Sequence, residues 1–309
     1  MTRDVLMALL PIIVLIGLGM VLRLRRFLDA GFWPLAERLG YYVLLPCLFF
    51  HGLAMAQLDA LPVRELALTL ILSTIAVAAL VMAVRPLLRL DGPAFTSVFQ
   101  GSVRFNNYVG VTLASGLFGA KGIALAAICN AAIVPTVNIL CVLVFARHGS
   151  AKLAGRGILK QLVMNPLVVA SLAGIAFQFT GLGIPPGIEP AMRSLGAASL
   201  PLGLLCVGAA LDFSTARQWV GPVAASAAMK FLAMPIATIL FAKLVGLTGP
   251  ALMTALLFQA LPTASSAYIM ARQLGGDAPL MAGITATQTV LAVVAIPLVL
   301  LGISPWASF

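Results

Sequence analysis

Two clusters of hydrogen-bonding residues interrupt runs of sequence that are otherwise apolar, and they define what chemistry the chain could carry. The first, FQGSVRFNNYVG at residues 99–110, holds Gln100, Ser102, Arg104, Asn106 and Asn107. The second, FQALPTASSAY at residues 258–268, holds Gln259, Pro262, Thr263, Ser265 and Ser266. At 1.5 Å per residue, Arg104 falls roughly 15 Å into its helical run. An arginine near mid-bilayer costs about 2.5 to 3.5 kcal/mol even on lenient insertion scales, so it should face protein or water. Gly101 and Gly110 lower helix propensity around it. In the second cluster Pro262 removes a backbone donor and obstructs a carbonyl one turn earlier. Both runs are therefore expected to unwind, and unwound backbone at that depth must be buried in protein or line a water-filled cavity. A half-helix starting near Asn106 or Ser265 would aim free N–H groups and the positive end of its dipole into that cavity, which suits an anion.

The other deep polar residues point the same way. Lys230, in AASAAMKFLAMPIA, is a second cation near the middle of a run, while none of the nine acidic residues falls at the centre of one. A buried charge without a partner is expensive, so water or an anionic substrate should complete the pair. Arginine binds a carboxylate bidentately, which favours a carboxylate over a halide. Asn130 and Asn138 flank Pro135, and Thr285, Thr287, Gln288 and Thr289 lie in the last run, ahead of Pro297. His51 is the one deep group that titrates near neutral pH. A purely structural role stays open for each: Asn and Ser in membrane helices often just hydrogen-bond a neighbouring helix, and a lysine can snorkel.

The elements that must hold these residues are membrane helices. Of 309 residues 61% are hydrophobic and 9% charged, with mean hydropathy +1.10, against about a quarter charged in a soluble domain. Runs long enough to cross a bilayer occur at 5–22, 36–56, 63–84, 95–118, 122–145, 159–179, 192–211, 219–242, 250–272 and 279–301. The first lacks an early basic region and a small-residue cleavage site, and reads as a span and not a signal peptide. Alternate loops carry 12 basic residues on one side (Arg23, Arg25, Arg26, Arg38, Arg85, Arg89, Arg147, Lys152, Arg156, Lys160, Arg217, Arg272) and 5 on the other (Arg3, Arg64, Lys121, Arg193, Lys243). By the positive-inside rule both termini should be non-cytoplasmic. The net charge of +10 follows from that asymmetry, so no nucleic-acid partner is expected. Cys47, Cys129, Cys141 and Cys206 lie inside apolar runs without a CxxC pair, and neither a metal nor a cofactor is expected. With no GxxxxGK[ST], HExxH, GxSxG or GxGxxG motif, an enzyme is not expected.

The halves repeat weakly. RLGYYVLLPCLFFHGLAMAQLD (38–59) has Gly40 and Gly52 twelve apart around Pro46; SLGAASLPLGLLCVGAALDFS (194–214) has Gly196 and Gly208 twelve apart around Pro201. The fourth and ninth runs each open on Gly-Pro-Ala, at Gly92 and Gly249, continue to Phe-Gln, and reach a polar cluster and a tyrosine. Five runs per half is an odd number, so the second half should enter the membrane from the opposite face. The expected fold is an all-α integral membrane protein of ten transmembrane helices in two inverted five-helix repeats, 1–147 and 159–309. A short basic cytoplasmic loop at 148–158 joins them.

The segments GSVRFNNYVGVTLASGLFG (101–119), MNPLVVASLAGIAFQFTGLGIP (164–185), LGAASLPLGLLCVGAAL (195–211) and LPTASSAYIMARQLGGDAPLMAGITATQT (261–289) resemble the bacterial branch of the auxin efflux carrier family. The resemblance implies broken, crossing helices 4 and 9, a scaffold domain and a transport domain, and secondary transport of small organic anions such as malonate, malate-like dicarboxylates or indole-acetate-like monocarboxylates. It makes Asn106 the crossover asparagine of helix 4, Pro262 with the following TASS the crossover of helix 9, and Asn130 an amide lining the site. The chain departs from the plant pattern by carrying Phe105 where a proline precedes the asparagine, which leaves kinking to Gly101, Gly110 or cavity solvation. It also lacks the long central loop of many plant members.

The expected function is an efflux carrier of small organic carboxylates in the bacterial inner membrane, working by alternating access. Its substrate contacts would come from Arg104, Asn106, Asn107, Asn130, Lys230, Pro262, Thr263, Ser265, Ser266 and Gln288. The expected partners are the carboxylate and the lipid bilayer, and the chain is compatible with a homodimer. Two alternatives stay open: a sodium- or proton-coupled symporter of the bile acid:sodium type, and a membrane receptor or scaffold that binds without translocating.

Overall fold

The computed structural model describes residues 2–56, 61–150, 165–213 and 219–303, and within them the secondary structure is helical, with no strand. The helices are α1 (Thr2–Leu24), α2 (Phe32–Leu39), α3 (Leu45–Ala54), α4 (Val63–Leu88), α5 (Gly92–Val103), α6 (Asn107–His148), α7 (Pro166–Phe179), α8 (Glu189–Ala210), α9 (Val220–Ala228), α10 (Met234–Val245), α11 (Gly249–Gln259), α12 (Ser266–Leu274) and α13 (Ala278–Ile303). Six described stretches are long and apolar enough to cross a membrane: Met7–Leu24, Val63–Leu88, Gly92–His148, Glu189–Ala210, Val220–Val245 and Ala278–Gly302. Gly92–His148 carries two of the expected runs, divided by a left-handed residue, Gly119, at φ 59°. The first residues of the expected run 159–179 lie outside the described residues.

Two π-helical turns have a covalent cause. Gly40–Leu44 joins α2 to α3, and Met229–Ala233 joins α9 to α10; each is followed two residues later by a proline, Pro46 or Pro235. A proline ring displaces the carbonyl four residues back. Those carbonyls belong to Tyr42 and Phe231, inside the π turns, where the widened ladder absorbs the missing donor.

The chain forms two compact units, each drawn from both halves of the sequence: Met1–Val63, Asn107–Ala131 and Val163–Ala210 in the first, and Arg64–Asn106, Ala132–Leu162 and Leu211–Phe309 in the second. In the first unit α1 lies on α8 at backbone contact. A Cβ on Gly19 would strike the carbonyl of Leu205, and one on Gly208 the carbonyl of Ile16. Small residues let membrane helices approach this closely, where dispersion replaces the missing hydrophobic drive. The glycine pattern that links the second and seventh runs has the same use throughout. Gly196 would meet Leu48 at 3.0 Å, Gly52 would meet Ile123 at 2.7 Å, and Gly40 would meet the Tyr108 hydroxyl at 2.6 Å. Arg23 Nη1 donates to the Ala209 carbonyl at 2.7 Å and so closes the C-terminus of α8.

In the second unit α5 and α11 are central, with Ala94–Val103 and Ala251–Gln259 buried at every position. Asp91 caps α5 by accepting from Ala94 N at 2.9 Å. The glutamines of the two Phe-Gln pairs then tie these helices to their neighbours. Gln259 Nε2 donates to Ser73 Oγ at 2.8 Å, Thr74 Oγ1 at 3.0 Å and Leu70 O at 3.2 Å on α4. Gln100 Nε2 donates to Ala267 O on α12 at 3.4 Å.

Candidate transport site at two helix interruptions

Both expected interruptions are present in the second unit. After α5 the backbone turns extended at Arg104 (φ −74°, ψ 161°), and helix resumes three residues later at Asn107. After α11, residues 260–265 are non-helical and helix resumes at Ser266. The two breaks meet through the backbone, where Asn106 N donates to Pro262 O at 2.8 Å. Asn106 is 1% exposed and Thr263 0%, and the backbone N–H of each is bonded inside protein, as unwound backbone at this depth requires.

One side chain holds the junction. Gln288 on α13 is 0% exposed; its Oε1 accepts from Thr263 N at 3.0 Å, and its Nε2 donates to Gly101 O at 3.0 Å and Ser226 Oγ at 3.1 Å. A single amide thus binds the end of α5, the non-helical segment after Pro262 and the face of α9. Ser226 is the partner that sequence inspection missed, because an isolated serine in an alanine-rich helix carries no local signal. Gly101 acts differently from the expectation that it would loosen the helix. It is helical, and a Cβ there would strike Ser226 Oγ and come within 2.5 Å of Ile284, so glycine is needed for close approach. Gly110 is likewise inside a helix, and the break falls between the two glycines.

The interruption at Arg104 is fastened by its own side chain. Nη1 donates to Asn138 Oδ1 at 3.0 Å and contacts Met270 Sδ at 3.5 Å, while Nη2 reaches Ser266 Oγ at 3.5 Å. The guanidinium therefore links the α5 end to α6 and to the first residue of α12. Its buried Nε has no hydrogen-bond partner among the described residues. Ser265, the residue ahead of α12, accepts at its carbonyl from Tyr268 N at 3.1 Å and is half-buried.

Lys230 is 0% exposed in the π turn after α9, four residues past Ser226, and its Nζ has no hydrogen-bond partner among the described residues. That π turn packs against α5. Thr263 Oγ1 is also buried without a partner among the described residues, although its backbone N–H is bound. An amine and a hydroxyl are thus among the buried donors of this unit, with Arg104 Nε and Thr69 Oγ1, that have no hydrogen-bond partner among the described residues. No carboxylate bonds Arg104 or Lys230 among the described residues.

Asn107 and Asn130 belong to the first unit. Asn107 opens α6 and its Oδ1 has no partner among the described residues. Asn130 is 0% exposed; its Nδ2 donates to Ala126 O at 2.9 Å, one turn back on the same helix, and its Oδ1 has no such partner.

A buried polar junction of interrupted apolar helices is the architecture of a membrane transport protein. The family model described as "Membrane transport protein" matches residues 4–300, and the chain belongs to that family, the auxin efflux carrier family. It is 25% identical over 251 residues to a Rhizobium meliloti protein described as "Putative malonate transporter", covering 76% of this chain and 75% of that protein. It is 23% identical over 292 residues to a Methanothermobacter thermautotrophicus protein described as "Uncharacterized transporter", covering 94% of this chain and 95% of that protein.

Proposed function

We propose that this chain is a secondary carrier of small organic carboxylates that binds its substrate at the junction of the two helix interruptions. The observation that carries this reading is the buried amine of Lys230, without a hydrogen-bond partner among the described residues, in the unit that holds both breaks. A lone ammonium in a low-dielectric interior is costly, and pairing with an arriving carboxylate offsets that cost together with the carboxylate's own desolvation. Thr263 Oγ1 is a further donor of the kind a carboxylate oxygen needs. Arg104, with two of its nitrogens already engaged on protein, serves first to hold the break open. Asn106 and Pro262 fix the backbone of the crossing, Gln288 sets its register, and Ser265 and Ser266 begin the second half-helix. The relative described as a malonate transporter favours a dicarboxylate of that size.

The same proposal takes the fold as ten spans in two inverted repeats, 1–147 and 159–309, in the inner membrane with both termini non-cytoplasmic, and the substrate as crossing by alternating access. With no acidic residue at the centre of a span, the anion would leave as a uniported charge, driven by about 2.3 kcal/mol per charge per 100 mV. Radiolabelled malonate flux in proteoliposomes tests this. Flux should follow the imposed potential without sodium or a proton gradient, and Lys230→Gln should lower it tenfold or more. Unchanged flux in that variant would overturn the reading, and an absolute sodium requirement would favour the symporter.

A further inference from the structure

The first unit contains a cavity of about 750 Å³ that the substrate junction does not use. Its lining includes Met55, Ala56 and Leu61 near the end of α3 and the start of α4, the Gly119 kink with Ala120 and Lys121, and Met192 and Arg193 in the N-terminal part of α8. Its size lies in the range that holds small organic ligands. Its chemistry is graded. Leu48, Ala124 and Gly196 form a buried apolar wall, whereas Lys121 and Arg193 are exposed at the rim. Neither of these cations has an ion pair or side-chain hydrogen bond among the described residues. The nearby carboxylate, Glu189, is occupied by His51, whose Nε2 lies 3.2 Å from Glu189 Oε1.

We propose that this cavity is an anion site for an amphiphile. A phosphate or carboxylate head would lie at Lys121 and Arg193, and its apolar tail would lie along Leu48, Ala124 and Leu200. Two cations that bond no carboxylate among the described residues, above an apolar wall, match a molecule that carries one charge on a hydrocarbon body, the chemistry shared by an anionic lipid and a free fatty acid. A small hydrophilic anion would leave the wall unfilled, and a zwitterionic lipid would bring a second cation to the rim. This inference does not rest on the carboxylate-carrier reading.

The test is ligand-dependent thermal stabilisation of the full chain in uncharged detergent, with dioctanoyl phosphatidylglycerol, decanoate, inorganic phosphate and dioctanoyl phosphatidylcholine as probes. Stabilisation is expected from phosphatidylglycerol, decanoate or both; the first alone identifies a lipid source and the second alone a free acid. The K121Q/R193Q variant, altered at two exposed positions, should weaken that binding at least tenfold with an unchanged unfolding midpoint in the absence of probe. Ala197→Trp, which fills the cavity and leaves both cations, should weaken it as well. Equal stabilisation by phosphatidylcholine or inorganic phosphate, undiminished binding in K121Q/R193Q, or no stabilisation by any probe would overturn the proposal. The experiment reads neither malonate nor flux, so its failure leaves the carrier reading standing.

Discussion

The two interruptions of the second unit reach the same end by different chemistry. Between α11 and α12 a proline stands inside a six-residue break, 260–265, and the covalent loss of a donor is enough to stop the helix. Between α5 and α6 no proline is present, the break is three residues long, and an arginine is fastened to Asn138 and Ser266 on the far side of it. One break has a covalent cause in the chain and tertiary bonds through Gln288 and Asn106 besides, while the other depends on tertiary contacts made by a charged side chain. Gln288 is common to both, since its two ends bind Thr263 after one and Gly101 before the other. The second break should therefore persist in altered proteins that lose the first.

Substitutions can separate these contributions. The largest effect is expected from Gln288→Leu, which strands a buried N–H, a buried carbonyl and the Ser226 hydroxyl at about 1 to 3 kcal/mol for each unsatisfied group. The thermal unfolding midpoint in detergent should fall steeply. Arg104→Lys keeps the charge but not the fork that spans Asn138 and Ser266. It should cost about 1.5 to 3 kcal/mol, the range for hydrogen bonds to charged groups, and denaturant unfolding followed by intrinsic fluorescence would read it. Ser226→Ala removes one of three bonds to Gln288 and should cost about 1 kcal/mol by the same measurement. Pro262→Ala should be smallest, about 0.4 to 1 kcal/mol, because Gln288 and Asn106 still hold the segment and the loss comes from a freer unfolded chain. An effect of Pro262→Ala larger than that of Arg104→Lys would reverse the order of dependence drawn between the two breaks.

Much of this was legible from residue types alone. Arg104, Asn106 and Pro262 stood out because membrane-buried polarity and proline carry a cost wherever they occur, and the structure interrupts the helices at those places. Lys230 was legible for the same reason. What sequence could not supply was the set of partners. Gln288 binds residues 187 and 62 positions away, and no periodicity encodes a bond between residues so far apart. Gly101 was misjudged because a glycine that loosens a helix and one that admits a neighbour look alike until the neighbour is known. Lys121 and Arg193 were visible only as two basic residues of the sparser side, and their meeting at one cavity is a property of the packed unit.

The central claim is that an anion completes the charge left open at Lys230, and malonate-dependent stabilisation of Lys230→Met tests it most directly. A ligand at 100 times its Kd adds about 2.7 kcal/mol to the wild-type chain. The variant replaces a lone buried amine with an apolar side chain of similar length, so without ligand it should unfold at or above the wild-type midpoint. It should then show no shift with malonate. A malonate shift in Lys230→Met equal to that of the wild type would contradict the account.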